Sequence, residues 1–268
     1  MKEMLNKLYK PDGKMLTSMV VGKPGAGKSY FLKSTLEMFC KQYQNENFRL
    51  VYVCPKNEMQ MGGKKNNPIR VENLEKHLQK NRIAVVYTDA EYVEQEVDYA
   101  IDTVFAIQQA NPDFHCLFCV DDAQTFISSR KQASPQFRRL ALTGRSKGIR
   151  FLAVSHQMVF SKDLEGSTSY IVNFSLPVKL YHKDALTRYG FDVLPYIEKL
   201  QEKEYSFVIF DVTKSRGILY EPIAENGILF LGLSSPSFLT LAEARKSMEP
   251  HLHCGCILLI LQSPLVWV

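Results

Sequence analysis

Eight residues near the start of the chain have the types and order of a phosphate cradle. Gly22 to Ser29, "GKPGAGKS", fit G-x-x-x-x-G-K-[ST] at every fixed position. Glycines let the backbone curl around an anion with no Cβ in the way. Successive N–H groups then converge on the anion, and the positive end of the following helix adds to the attraction. In that arrangement Lys28 brings its charge to the β- and γ-phosphate oxygens, and the Ser29 hydroxyl serves Mg²⁺. The whole cradle reads as Gly22, Lys23, Pro24, Gly25, Ala26, Gly27, Lys28, Ser29 and Tyr30, and the ligand it suits is ATP with Mg²⁺. An ordinary glycine-rich turn is the plain alternative. The complete pattern, set between an apolar run and a helical one, argues against it.

A nucleotide cradle needs an acidic counterpart. "CLFCVDDAQ" supplies one, an apolar run ending in Asp121 and Asp122. Carboxylates at the carboxyl end of a parallel strand lie in the crevice where α/β sheets bind ligands. One acid can hold the metal and the other can polarise an attacking water. Asp121 is assigned to the metal and Asp122 to the water. A solvated turn after a strand is the competing account.

These residues need a scaffold, and the chain has the pattern of one. "MLTSMVVG", "FRLVYVCP", "RIAVVYTD", "FHCLFCV", "IRFLAVS", "SYIVNFS" and "YSFVIFDV" read as strands. Helical stretches are predicted at 27–43, 71–80, 91–110 and 134–143, and in "KDALTRYG" and "DVLPYIEKLQEK". Alternation of nearly continuous apolar strands with helices predicts an α/β fold, a mostly parallel central sheet with helices on both faces. The pattern dissolves after about residue 222, so the chain divides into 1–221 and a C-terminal extension, 222–268, of unknown role.

The six cysteines are scattered. Cys116 and Cys119 form a C-x-x-C, but inside a strand residues three apart face opposite sides, so buried thiols are expected rather than a metal or redox pair. "HLHCGC" at 251–256 matches no zinc spacing. The opening "MKEMLNKLYKPDGK" has no apolar core of a signal peptide, and no window is long and apolar enough for a membrane helix. Free thiols in a reducing compartment, and no membrane partner, are the expectation.

The net charge of +5 is mild, but its distribution is uneven. From Ile83 to Ser129 there is no Lys or Arg, and from Ala123 to Lys162 no Asp or Glu. Glu91, Glu94, Asp98 and Asp102 line one face of the helix predicted at 91–110, beside the apolar face Val93, Val97, Ile101 and Val104. A solvated face is one reading. Contact with basic residues of a neighbouring subunit is the other. The basic stretch could grip DNA phosphates or send an arginine into a neighbour's active site. Arg145, in "TGRSKG", is the finger candidate, with Arg138 and Arg139 behind it. Lys64, Lys65 and Arg70 form a second basic group in a loop-like stretch. No aromatic interleaving points to base stacking, so contact with DNA would be to the backbone, sequence-independent and steeply salt-dependent.

The order of glycine-rich loop, "VDDAQ" and a strand ending in "SHQ" resembles the FtsK/HerA superfamily of P-loop ATPases. Within it, "GRSKGIRFLAVSHQ" looks most like the genome-packaging ATPases of double-stranded DNA viruses of the poxvirus, virophage and polinton-like kind. The likeness covers about residues 15 to 221. It implies a RecA-like (ASCE) sheet, a homo-oligomeric ring, and ATP-driven movement of double-stranded DNA into a capsid, with a capsid protein as a further partner. It also implies a place of work inside an infected cell at the site of virus assembly, or with the virion. By this resemblance Gln157 is the polar sensor of the γ-phosphate, and His156 a bystander. Asp122 departs from the glutamate that many P-loop ATPases place there. A small-molecule kinase and a non-catalytic ATP-binding scaffold are the rivals; a GTPase is disfavoured because no N-K-x-D follows the loop at a suitable place.

Overall fold

The computed structural model describes residues 17–42, 47–55, 68–89, 91–125, 133–156, 162–175, 194–202, 204–220, 223–224 and 227–228. The chain divides into two compact units, Met1–Leu231 and Gly232–Val268, and every described residue lies in the first. "KDALTRYG", Gln157, Lys64, Lys65 and "HLHCGC" lie outside the described residues.

Apolar runs with β-branched and aromatic residues form the sheet. In chain order the strands are β1 (Thr17–Val21), β2 (Phe48–Cys54), β3 (Ile83–Tyr87), β4 (His115–Val120), β5 (Ile149–Ser155), β6 (Thr168–Phe174), β7 (Phe207–Asp211) and β8 (Arg216–Tyr220). They lie side by side as β3-β2-β4-β5-β1-β6-β7-β8. Pairing is parallel from β3 through β6, and antiparallel between β6, β7 and β8. The α/β fold with a mostly parallel sheet is therefore as the alternating pattern predicts. Strand β8 adds an edge that the sequence reading does not include. It is reached through a tight turn in which the Asp211 carboxylate accepts from Lys214 N (3.2 Å) and Thr213 Oγ1 (2.6 Å). Short strands at 223–224 and 227–228 pair antiparallel, apart from this sheet.

Each face of the sheet has its own core. Helix α1 (Lys28–Gln42) lays Phe31, Leu32 and Leu36 on one face, against Val20, Leu152 and Val172. On the other face lie α2 (Leu74–Lys80), α3 (Val93–Ala110) and α4 (Pro135–Thr143), over Val51, Phe118 and Phe151. A short helix α5 (Lys162–Ser167) leads into β6, and α6 (Leu194–Glu202) precedes β7. Strands buried on both sides have no polar face, which is why their sequences do not alternate. Cys116 and Cys119, both fully buried, belong to opposite cores. Burial holds both thiols well above their usual range, so they remain protonated apolar filling, as their spacing predicts.

Helix α3 carries the predicted apolar and acidic faces. Its apolar stripe packs as predicted, with Val97, Ile101 and Val104 buried. On its acidic face, Asp98 and Asp102 have partners in the same chain. Ser134 Oγ donates to Asp98 Oδ1 at 2.5 Å while accepting from Phe137 N at 3.1 Å, so Asp98 steadies the residue that caps α4. Arg139 pairs with Asp102 at 2.7 Å and lies 4.1 Å from the Phe105 ring centre. Arg70 pairs with Glu96 at 3.0 Å, and Arg138 pairs with Asp163 at 3.0 Å. One ion pair, Asp102 with Arg139, and one hydrogen bond, Ser134 to Asp98, thus join the two stretches where α3 and α4 pack. Sequence shows that the charges complement; it does not show that a 36-residue separation closes inside one subunit.

Burial, helped by the nearby Glu94 and Asp102 charges, raises the pKa of Asp98, and the Ser134 bond only partly opposes this. The folded protein therefore binds the Asp98 proton more tightly than the unfolded chain. Its ionisation lowers stability above the folded pKa and has no effect below the unfolded one. D98N keeps an oxygen for Ser134 and removes the charge. It is expected to melt above wild type at pH 7, with the gap closing as pH falls below about 4. Melting curves across that range check the sign.

Candidate active site

The cradle sits where β1 runs into α1, and its main chain takes the shape that the glycines allow. Gly25 (φ +75°) and Gly27 (φ +95°) occupy left-handed backbone that L side chains rarely adopt. Gly22 is there for a different reason: a Cβ on it would lie 2.6 Å from Phe174 Cβ. The loop is pinned on both sides, Gly22 N to Ser155 O (3.3 Å) and Lys23 N to Ser175 O (2.9 Å). The turn closes with Ala26 N to Lys23 O at 3.2 Å. Lys28 and Ser29 then open α1, so their N–H groups belong to the first turn, which has no intrahelical acceptor. Lys23, Pro24, Ser29 and Tyr30 face solvent, whereas Lys28 is buried.

Lys28 Nζ donates to Gly22 O at 2.8 Å and Lys23 O at 3.0 Å, and reaches His156 Nδ1 at 2.9 Å. An ammonium has only protons to give, so Nδ1 accepts, and the neutral ring carries its proton on Nε2. That nitrogen lies 3.0 Å from Asp122 Oδ1, to which it donates. A continuous path of hydrogen bonds thus runs from the cradle lysine through His156 to the second acid.

Register explains the meeting. Val21 is level with Ser155, and Ala153 with Val120, so Gly22, His156 and the acids leave three adjacent parallel strands at nearly one height. Asp121 is held as well as placed. Its Oδ1 accepts from Asp122 N (2.9 Å) and its Oδ2 from Tyr52 Oη (2.9 Å). Burial first, and then the Asp121 charge, push the Tyr52 pKa far above the ordinary range, so the phenol keeps its proton and stays a donor. Asp122 has φ +49°, a left-handed conformation in which Asp and Asn are enriched several-fold. Here is a physical reason for an aspartate rather than a glutamate. Gln124 completes the group, giving Nε2 to Asp122 Oδ1 (3.2 Å) and accepting from His156 N (3.2 Å).

The structure therefore brings together Lys28, Asp121 and Asp122. It adds Tyr52, Gln124 and His156, none of which the sequence singles out for the site. His156 is no bystander, and Gln157 lies outside the described residues. Arg145 is elsewhere. It occupies the 3₁₀ turn Gly144–Lys147 ahead of β5, while His156 follows the far end of that strand. The seven residues of β5, at about 3.3 Å each, keep it roughly 20 Å from its own chain's site. Arg138 and Arg139 are engaged with Asp163 and Asp102. On the outer side of the cradle a cleft of about 60 Å³ is bounded by Gly25, Ala26, Gln201, Glu204 and Tyr205.

Comparison with solved structures decides which architecture this is. The genome-packaging NTPase B204 from Sulfolobus turreted icosahedral virus 2, in complex with ATP-gammaS, superposes with a TM-score of 0.61 and 16% identity, over 80% of this chain and 100% of B204. B204 from Sulfolobus Turreted Icosahedral Virus, a DNA-packaging ATPase, gives 0.56 and 15% over 78% of this chain and 98% of its own. This chain has the P-loop ATPase fold. The cytoplasmic domain of the Thermomonospora curvata Type VII secretion ATPase EccC matches at 0.51 and 14%, over 84% of this chain but only 29% of EccC. No protein-family model and no curated protein matches the sequence. The likeness to the packaging NTPases is thus one of fold, carried at identities where little but the cradle and the strand order needs to persist.

The left-handed backbone at Asp122 makes a clean test of its carboxylate. Asp122→Asn tolerates the same φ and keeps an oxygen toward His156 and Gln124, so its melting temperature should stay near wild type. Asp122→Ala lacks that tolerance and should lose about 1–2 kcal/mol. If Asp122 activates water, nucleotide hydrolysis by Asp122→Asn should fall by roughly 10²–10⁴-fold, with nucleotide affinity retained. Denaturation curves and single-turnover rates measure the two effects separately.

Proposed function

We propose that this chain hydrolyses ATP with Mg²⁺ and couples the reaction to the movement of double-stranded DNA, packaging a viral genome into a capsid. The observation that carries the reading is the Lys28–His156–Asp122 path, which joins a phosphate cradle to an acid across neighbouring strand ends. The fold shared with B204, itself a DNA-packaging ATPase, supports the coupling to DNA.

The donor set suits Mg²⁺. Ser29 and Asp121 offer hard oxygens, and among the described residues no three His, Cys, Asp or Glu cluster to hold a metal alone. Mg²⁺ is usually held in this way, by one or two protein oxygens together with phosphates and water. When bound, the ion would neutralise charge on the phosphates. Lys28 then binds their terminal oxygens, Asp121 is kept in place by Tyr52 and the Asp122 amide, and Asp122 takes the proton of the attacking water.

An arginine in trans completes the site. Arg145 is exposed and lies too far from its own subunit's cradle, so we assign it to the active site of the next subunit in a homo-oligomeric ring. Its neighbour Lys147 and the loop residues Lys64 and Lys65 are the proposed contacts to the DNA backbone. The place of work we propose is the assembly site within an infected cell, with a capsid protein as partner.

Turnover with and without duplex DNA tests the reading. Wild type should hydrolyse ATP faster with duplex of any sequence, and the stimulation should collapse as salt rises. Arg145→Ala should still bind ATP while turnover falls 10³-fold or more. ATP binding without hydrolysis would favour a scaffold. Hydrolysis indifferent to DNA would remove the motor.

A further inference from the structure

We propose that His156 is a positioning residue that couples the two halves of the site. It holds the Asp122 carboxylate while Lys28 is bonded to its ring, and it releases that carboxylate when phosphate oxygens take Lys28 over. The inference rests on the proposed ATPase reading and says how binding at the cradle would reach the acid.

Lys28 reaches two carbonyls of the cradle itself and His156, which follows another strand. Phosphate is the stronger acceptor, because its bond to an ammonium is charge-assisted on both sides. Once Lys28 turns to an anion, the Nδ1 lone pair of His156 faces oxygens that are acceptors too. Neither has a proton for the other, so the neutral ring loses its partner on this side and is released to rotate. Rotation carries the Nε2–H away from Asp122 Oδ1, where it now sits at 3.0 Å.

The surroundings allow this motion and limit it. The His156 side chain is 30% exposed, against 10% for Asp122, so the ring has room that the carboxylate lacks. The main chain is anchored, because His156 N donates to Gln124 Oε1 at 3.2 Å, and Gln124 Nε2 also holds Asp122 Oδ1. Gln124 therefore keeps strand end and acid together while the imidazole changes partner. A single side chain thus changes the surroundings of the acid according to what the lysine holds.

Ring ¹⁵N spectra of the histidine-labelled full chain read the state of His156 directly. Its signals are identified among those of the six histidines by their loss in His156→Phe. The expected result is the Nε2–H tautomer. The Nδ1 signal should move in Lys28→Met and the Nε2 signal in Asp122→Asn, and ATP-gammaS with Mg²⁺ should move Nδ1 as Lys28→Met does. In steady-state assays His156→Phe should lower kcat about 10- to 100-fold with KM for ATP little changed. His156→Gln, whose amide both accepts and donates, should recover part of the loss. An Nδ1–H tautomer, an Nδ1 signal indifferent to Lys28→Met, or wild-type kcat in His156→Phe would overturn the proposal. If wild type binds no ATP, the ATPase reading falls, and the tautomer with its response to Lys28→Met still shows whether the bridge exists. If ATP is hydrolysed with His156 in the Nδ1–H form, the coupling fails and the ATPase reading stands.

Discussion

One constraint organises the site: a whole strand stands between the strand that makes the cradle and the strand that carries the acids. With β5 inserted between β1 and β4, the two functional strand ends are separated by two interstrand spacings, about 10 Å. Whatever follows Ser155 at the end of β5 lies in that gap. A polar residue suits it, because the groups on either side are an ammonium and a carboxylate, and an apolar side chain would leave each with one hydrogen bond fewer. An imidazole satisfies both neighbours while staying neutral, since one ring nitrogen accepts and the other donates.

The same economy of polar contacts keeps the acids distinct. Asp121 and Asp122 are consecutive like charges, yet they lean on different partners. Asp121 faces the Tyr52 hydroxyl and the Asp122 amide; Asp122 turns through a left-handed backbone toward His156 and Gln124. The backbone at Asp122 is what separates them. In extended conformation, neighbouring side chains would point to opposite faces of the sheet and the second acid would leave the crevice. A left-handed residue at the strand end keeps both carboxylates at the crevice, and the short aspartate side chain tolerates it at little strain.

Much of this was legible in the sequence, and the division follows a physical line. The cradle is a main-chain device, so its demands fall on glycines at fixed spacing and can be read without a fold. Strands buried on both faces announce themselves by unbroken apolar runs. Asp121 and Asp122 follow such a run and need only the rule that ligands bind at carboxyl ends. Tyr52, Gln124 and His156 depend instead on register between strands far apart in sequence. Tyr52 has the look of any strand aromatic, and which polar residue of "SHQ" turns inward depends on how β5 ends. The acidic face of α3 was legible in a different way. Its charge pattern fits either a solvated face or a basic neighbour, and the sequence carries no label for the Arg139 of α4 that meets Asp102.

That last point bears on what the surface leaves over. Asp98 and Asp102 are turned to Ser134 and Arg139, and Asp163 to Arg138, so Arg138 and Arg139 are both matched within the subunit. Arg145 and Lys147 stand apart, exposed in the turn that enters β5. Parallel strands make the sheet directional: the cradle and acids gather at the carboxyl ends, and this turn lies at the amino end. A cation at one end of β5 and a phosphate site at the other cannot meet within a subunit whose sheet is a packed core on both faces. They can meet only between copies. In the proposed ring each subunit would offer this arginine to the next, and closure would let every subunit both give and receive one.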